Sequence, residues 1–152
     1  MSSELQALLF MRIGAELRER QLGQRVEPLD SFKRLRLEDQ VALLNINTVL
    51  EISSAIIKTD RSARASRFGT GISEERAQAI IVARVLVVER GALVEVAGGE
   101  AFGEARGYTA SASSRSLGTI SVSLTSREAL ERAALIRAIK NLFDGFQASA
   151  VP

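Results

Sequence analysis

The sequence predicts an α+β fold, a mixed α/β sandwich in which a small sheet built on a central β-hairpin is covered by amphipathic helices at the N- and C-terminal ends. The first observation is the run at residues 79–88, where Arg84 is the only strongly polar side chain and Ile and Val predominate. β-Branched residues favour an extended chain, and the run is too short to cross a bilayer as a helix. Glu89-Arg90-Gly91 then suits a tight turn into a second strand. A buried helix is the alternative, because helix formers surround the start of the run.

The first strand of this hairpin does not alternate between apolar and polar residues, so we expect cover on both of its faces. A helix ending near residue 21 is suited to supply part of that cover. Leu5, Leu9 and Ile13 fall on one stripe of this helix. Ser3 with Gln6 fits a capping box at its start.

A second covering helix is predicted over residues 126–144. Thr125 and Glu128 have the spacing of a capping box, and Gly145 is expected to end the helix. Its apolar face is wide and rich in alanine. The residues of that face are Leu130, Ala133, Ala134, Ile136, Ala138, Ile139, Leu142 and Phe143.

The chain between the first helix and the hairpin contains weaker signals. Residues 24–27 suit a short edge strand, and residues 31–44 suit a helix capped by Asp30 or Ser31. A strand follows from Val49, with Leu50, Ile52 and Ile56 on one face and Val49 and Ile57 on the other. Residues 61–75 turn polar and are interpreted as an exposed extension or flexible loop.

After the hairpin, glycines at 98 and 99 predict a bulge or break. Residues 100–108 are expected to resume the strand, with Phe102 as its anchor in the core. Residues 110–117 are rich in serine and short of large side chains, so they are interpreted as a surface loop.

Composition bounds the function more than any motif does. The 152 residues form one expected domain, 1–152, with 46% hydrophobic and 25% charged residues and a net charge of +2. The chain has no His and no Cys, which removes the commonest general base near neutral pH and all thiolate chemistry. We therefore expect no enzyme, no cofactor and no metal. An enzyme that works through carboxylate, Ser or Lys groups alone is the weakest of the remaining hypotheses.

No apolar run is long enough for a membrane-spanning helix, and the first residues lack the pattern of a signal peptide. The sequence leaves the compartment open. We expect the periplasm or cell envelope if an upstream signal segment was removed, and the cytoplasm if Met1 is the native start.

Arginine supplies the candidate binding site. Seventeen of the 20 basic residues are Arg, and the densest cluster is Arg61, Arg64 and Arg67, with Arg76 beyond a glycine turn. Such a cluster suits the acidic side chains of a protein partner or the phosphates of a nucleic acid. Arg84 stands alone in the apolar strand. It is expected either to mark an edge or interface position or, as we favour, to pair with a carboxylate such as Glu95 across the hairpin.

The order of elements resembles a known family. A helix precedes Gln24-Arg25-Val26-Glu27-Pro28, a second helix leads to a strand ending Ser54-Ala55-Ile56-Ile57, and the strand and turn at residues 83–91 precede an alanine-rich closing helix at residues 128–142. Over residues 4–143 this resembles the curli-secretion-channel superfamily, which includes bacterial lipoproteins that activate penicillin-binding proteins. The family's signal peptide, lipidated Cys and opening strand are not present in this sequence. Residues 61–75 and 100–120 also lack a lipid-facing alternation, so the resemblance implies an accessory domain and not a pore.

The resulting hypothesis is a non-enzymatic protein–protein interaction or assembly module. Its expected partner is a protein, with self-association, and Arg61, Arg64, Arg67 and Arg76 are the predicted contact residues. The alternative is a basic nucleic-acid-binding domain that uses the same arginines.

Overall fold

The computed structural model describes residues 1–20, 36–65, 70–114, 118–123 and 126–150. The predicted α+β class is confirmed: within this part of the chain, helices flank a four-stranded antiparallel sheet of strand order β1-β2-β3-β4. The elements are α1 (Ser3–Glu19), α2 (Leu37–Leu44), β1 (Thr48–Ala65), β2 (Thr70–Glu89), β3 (Ala92–Ser114), β4 (Gly118–Ser123) and α3 (Arg127–Ala150).

The central hairpin is confirmed, and the helical alternative for residues 79–88 is wrong. Glu89 and Ala92 are paired, so the loop is the two residues Arg90 and Gly91. Their φ angles are 51° and 78°, the pair of positive values that the tightest hairpin turns require. The predicted irregularity also exists, two positions before the first glycine: Val85 pairs with Ala97 and Leu86 with Glu95, which makes Val96 the extra residue of a bulge.

One face of β2 supplies the centre of the core. Ala77, Ala79, Ile81 and Ala83 alternate along the strand and are almost fully buried. Helix α3 packs across β2 and β3 and contributes Leu135, Ile139, Leu142 and Phe143, among others, to the same cluster. On β3 the residues that face α3 are small, and the helix comes so close that a Cβ at Gly103 would lie 2.1 Å from the carbonyl oxygen of Ala134.

Helix α3 differs from its prediction at the C-terminal end. Its start is capped by Ser126, whose Oγ accepts from the Ala129 N–H at 3.1 Å, while Thr125 lies outside the described residues. Gly145 does not end the helix, which continues to Ala150. The continuation keeps Phe146 against the core cluster, one turn beyond Phe143. Burial of that ring outweighs the helix propensity that a single glycine loses, about 1 kcal/mol.

Helix α1 packs beside α3. Its N-terminal cap is Ser2, not the predicted Ser3, because Ser2 Oγ accepts from the Leu5 N–H at 3.3 Å. Leu5, Leu9 and Ile13 are buried in the same cluster as the apolar face of α3, as the stripe predicted. Both terminal helices therefore contribute to the core on one face of the sheet.

A β-bulge overturns the predicted faces of β1. Ile52 pairs with Ala83 and Ser54 with Val82, so the alternation slips by one residue at this point. As a result Ile52 and Ile57 both pack against the main core, and Ile56 points to the opposite face, where it is exposed. Sequence alternation alone placed Ile52 and Ile56 together.

Helix α2 begins at Leu37, directly after Arg36 in an extended conformation, and ends at Leu44 as predicted. The predicted edge strand at residues 24–27 and the predicted helix start at residues 31–35 lie outside the described residues. Val41 of α2 packs with Val49 and Leu86 in a second, smaller cluster. Leu86 alternates with Val85 and shares a face with Val82 and Arg84, so α2 lies on the side of the sheet opposite α3.

Two segments predicted as loops are strands. Residues 61–65 and 71–75 pair with each other, Arg61 opposite Glu75, and lengthen β1 and β2 beyond their apolar parts. Residues 110–114 pair with β4, Ala110 opposite Val122. Polar and small side chains misled the prediction, because a strand can form by backbone pairing without an apolar pattern in its sequence.

Candidate interaction surface

The face of the sheet that is opposite α3 carries a row of large apolar side chains. Ile56, Ile80 and Phe102 are aligned across β1, β2 and β3, and Val82 lies next to Ile80 on the same face. Ile56 is 43% exposed and Phe102 is 49% exposed, while Ile80 and Val82 are half-buried. We call these four residues and the charged neighbours described below the open face. None of the described helices packs over these four side chains.

Phe102 corrects the prediction most directly, because it was expected to anchor β3 in the core. Its neighbours Ala101 and Gly103 point to the core instead. The backbone of α3 lies against Gly103, so no space for a large ring remains on that face of β3. The phenylalanine therefore lies on the open face.

On the side toward the strand ends near Gly71, the apolar row is bordered by charges. Glu104 contacts two arginines, Arg76 at 3.1 Å and Arg106 at 2.8 Å, and Arg106 lies 3.6 Å from Glu74. The hydrogen bond from Arg106, with the positive charges of Arg106 and Arg76, holds the pKa of Glu104 below its usual value. The same bond raises the pKa of Arg106. These groups therefore carry full charge at neutral pH.

On the other side, the row is bordered by Arg84. The predicted pairing with Glu95 is wrong: Arg84 donates from Nε and Nη2 to Glu51 Oε2, at 3.1 and 2.9 Å. Glu51 stands directly opposite Arg84 in the β1–β2 register. The bulge at Val96 moves Glu95 out of register, opposite Leu86. Arg84 is therefore held by the carboxylate that the register brings nearest.

The predicted arginine cluster is divided between the two faces. Arg61 pairs in register with Glu75, and Arg76 pairs with Asp60, so Arg61 and Arg76 point to opposite sides of the sheet. Arg76 borders the open face and contacts Glu104, while Arg61 is exposed on the side of α3. The backbone of Arg64 lies in β1, and Arg67 lies outside the described residues.

The outer edge of β3 is covered near the open face. Asn141 Nδ2 donates to the carbonyl oxygen of Phe102 at 2.7 Å, and Arg137 donates to the carbonyl oxygen of Glu104. These two side chains of α3 occupy backbone acceptors that β4 does not reach, because β4 pairs only with residues 109–114. A shallow depression between Phe102 and Lys140 lies along this edge. An added strand would have to displace these bonds.

The described residues contain no group of three or more Asp or Glu residues placed to hold a metal ion. None of the helices in the described chain is both long and apolar enough to cross a membrane. What the geometry presents is a face of apolar side chains between two sets of charges.

Comparison with known proteins finds no protein-family model that matches the chain and no significant match among curated proteins.

Sequence reasoning missed the open face because it expected cover on both faces of β2 and named the terminal helices as its source. The available signal was the run Ile80-Ile81-Val82 itself, in which consecutive apolar residues must point to both faces of the strand. Ile81 is covered by α3, and Ile80 and Val82 are left on the open face.

Proposed function

We propose that this chain is a non-enzymatic protein–protein interaction or assembly module that binds its partner through the open face. The observation that carries the proposal is the aligned row of Ile56, Ile80 and Phe102, two of which expose more than two fifths of their surface. Large apolar side chains in contact with each other at a surface are typical of binding sites, whereas single ones are ordinary.

The surroundings of the row support the proposal. Interfaces commonly have an apolar centre and a polar rim, with aromatic and arginine residues enriched. Here Ile80 lies at the centre with the aromatic Phe102 beside it, and Arg76, Arg106 and Arg84 stand around the apolar row. All three arginines are already oriented by carboxylates, so they lose less side-chain freedom when a partner binds.

The resemblance to the curli-secretion-channel superfamily agrees with this proposal, since it implies an envelope accessory domain that acts by binding proteins. The predicted contact arginines remain part of the proposal in two separate sets. Arg76 belongs to the open face, and Arg61 lies on the other side of the sheet. Separate substitutions therefore distinguish the open face from an arginine patch around Arg61.

Photo-crosslinking from the surface tests the proposal. We expect a benzophenone amino acid at Phe102 to crosslink a protein in cells of the source organism, and the same group at Met11, 67% exposed on α1 on the other side of the sheet, to give no comparable product. Arg61→Ala is expected to leave the Phe102 product unchanged. Absence of a Phe102 product, or a link only to residues 21–35 of the same chain, would contradict the proposal. Loss of the Phe102 crosslink in Arg61→Ala would instead place the binding site around Arg61.

A further inference from the structure

We infer that the partner bound at the open face is a second copy of this chain, packed face to face about a two-fold axis parallel to β2. The inference rests on the proposed function and names its partner. It follows from the distribution of charge across β1, β2 and β3, which makes the open face complementary to itself.

The rows of the sheet define that distribution. The next row on the open face lies two residues along each strand from the apolar row. It consists of Lys58 on β1, Gln78 on β2 and Glu104 on β3. In the next row, Asp60 and Arg106 stand on either side of Arg76. In both rows β1 and β3 carry opposite charges.

A two-fold axis along β2 keeps each row in place and exchanges β1 with β3. Lys58 then faces the partner's Glu104, and Asp60 faces the partner's Arg106. In the apolar row, Ile56 faces the partner's Phe102. Each of these contacts occurs twice in the dimer, because the axis repeats it.

The other face-to-face axis, perpendicular to the strands, is unfavourable. It keeps β3 over β3. When it passes through the row of Ile56, Ile80 and Phe102, it exchanges the rows on either side, so Glu104 meets the partner's Glu100. It also brings Asp60 onto the partner's Glu51. Like charges that face each other cost free energy, so charge selects the axis parallel to β2.

Residues on the axis meet their own copies. Ile80 and Val82 form an apolar contact there. Arg76 and Arg84 would repel their copies, but each is neutralised within its own protomer, by Glu104 and Glu51. Helix α2 stands on the same face at the hairpin end, and this axis places it opposite its own copy. The two sheets must therefore diverge toward the hairpin end, which confines the contact to the rows from Asp60 to Val82.

Assembly through strand edges is less favourable than assembly through the face. The edge of β3 near Phe102 is capped by Asn141 and Arg137. The edge strand β1 carries a bulge at Ile52/Ser54 and the charges of Lys58 and Asp60, which are features that oppose edge pairing.

Charge reversal across the interface tests the inference. Sedimentation of the purified full chain is expected to show a dimer. Lys58→Glu places like charges opposite each other at both symmetry-related contacts, and so does Glu104→Lys, so each variant is expected to weaken dimerisation by at least about ten-fold. Arg132→Glu on α3 is the matched control, because Arg132 is exposed beside Glu4 of α1 on the other side of the sheet, and it is expected to leave the dimer unchanged.

Mixing the two reversed variants is the decisive measurement. In a heterodimer of Lys58→Glu with Glu104→Lys, both contacts regain opposite charges, so the equimolar mixture is expected to recover the dimer. Within one protomer β2 separates Lys58 from Glu104, at about two strand spacings, or roughly 10 Å. Changes in the folding of either variant, including loss of the Glu104 ion pairs, are the same before and after mixing, so recovery reports the contact between copies.

Two results would overturn the inference. One is a wild-type chain that stays monomeric at its highest soluble concentration. The other is a dimer that neither reversal weakens or that mixing does not restore. A Phe102 crosslink to a different protein, with a monomeric chain, would leave the proposed function standing and refute only the self-association.

Discussion

The absence of a side chain at Gly103 sets the distance between α3 and the sheet. Ala101, Gly103, Ala105 and Gly107 alternate along β3 and are all buried, so the helix backbone meets a nearly flat strand surface. A Cβ at Gly103 would approach backbone atoms of Ala134 and Ala138 to between 2.1 and 2.9 Å. Backbone atoms of a packed helix cannot rotate away as a side chain can, so this position requires glycine for space.

Gly103→Ala is therefore expected to lower the free energy of unfolding by about 3 kcal/mol, since the helix must move off the strand. Gly145→Ala is the matched control: it adds the same methyl group within α3, with no atom within 4 Å, and is expected to raise stability by about 0.5–1 kcal/mol. Urea denaturation of both variants measures the difference. Equal stabilities would show that α3 does not lie directly on Gly103.

At the scale of elements, turns and bulges decide which residues share a face. The two-residue turn at Arg90 and Gly91 sets the β2–β3 register, and the bulges at Ile52/Ser54 and at Val96 shift it locally. Without the first bulge, Ile56 would point to the core and Ile57 to the open face. One inserted residue in β1 thus determines which isoleucine of β1 joins Ile80 and Phe102 in the row on the open face.

The turn itself is not optimal, because Arg90 holds a φ of 51°, which is unfavourable for most residues with a side chain. Asparagine tolerates this conformation, and Asn-Gly is a preferred pair for such turns. Arg90→Asn is expected to raise the free energy of unfolding by about 0.5–1 kcal/mol, and the thermal midpoint with it. Gly91→Ala, at φ 78°, is expected to lower it by a similar amount. A neutral or opposite effect of both changes would contradict the turn geometry.

At the scale of the whole molecule, both terminal helices lie on one side of the sheet and are joined at their ends. Arg20, just after α1, contacts Glu16 at 2.8 Å and Asp144 of α3 at 2.7 Å, and its guanidinium lies 5.7 Å from the centre of the Phe143 ring. The hydrogen bonds to Glu16 and Asp144 raise the pKa of Arg20. Glu16 is buried, and Arg20 at 2.8 Å is nearer to its carboxylate than Arg12 at 3.9 Å.

Arg20→Ala is expected to destabilise the fold by about 2 kcal/mol, because it leaves the Glu16 carboxylate buried with only a distant second arginine, Arg12, at 3.9 Å. Hydrogen exchange should show the largest loss of protection in α1. Arg132→Ala is the control, since Arg132 also joins α3 to α1 but contacts Glu4 at 3.9 Å with both side chains largely exposed. Its expected effect is within about 0.5 kcal/mol. Similar effects of the two substitutions would refute the special role of Arg20.

Several features could be predicted because they depend on local pattern. The apolar run with its glycine turn predicted the hairpin, and the helical stripes predicted Leu5, Leu9, Ile13 and the apolar face of α3. The helix caps were displaced by one residue, since neighbouring serines compete for the same role. The strand extensions at residues 61–65 and 110–114 were missed because their stability comes from pairing with distant backbone.

The sequence by itself determined the α+β class, the position of the hairpin and the apolar residues of both terminal helices, because each of these depends on side chains a few positions apart. Only the tertiary structure decided that α1 and α3 pack on the same face, that Arg84 pairs with Glu51, and that Phe102 points away from the core. These outcomes depend on strand register and on the close approach of α3 to Gly103, which are contacts between residues far apart in the chain. The open face is the consequence, since among the even-numbered apolar residues of β2 helix α2 covers Leu86, while the described helices leave Ile80 and Val82 uncovered.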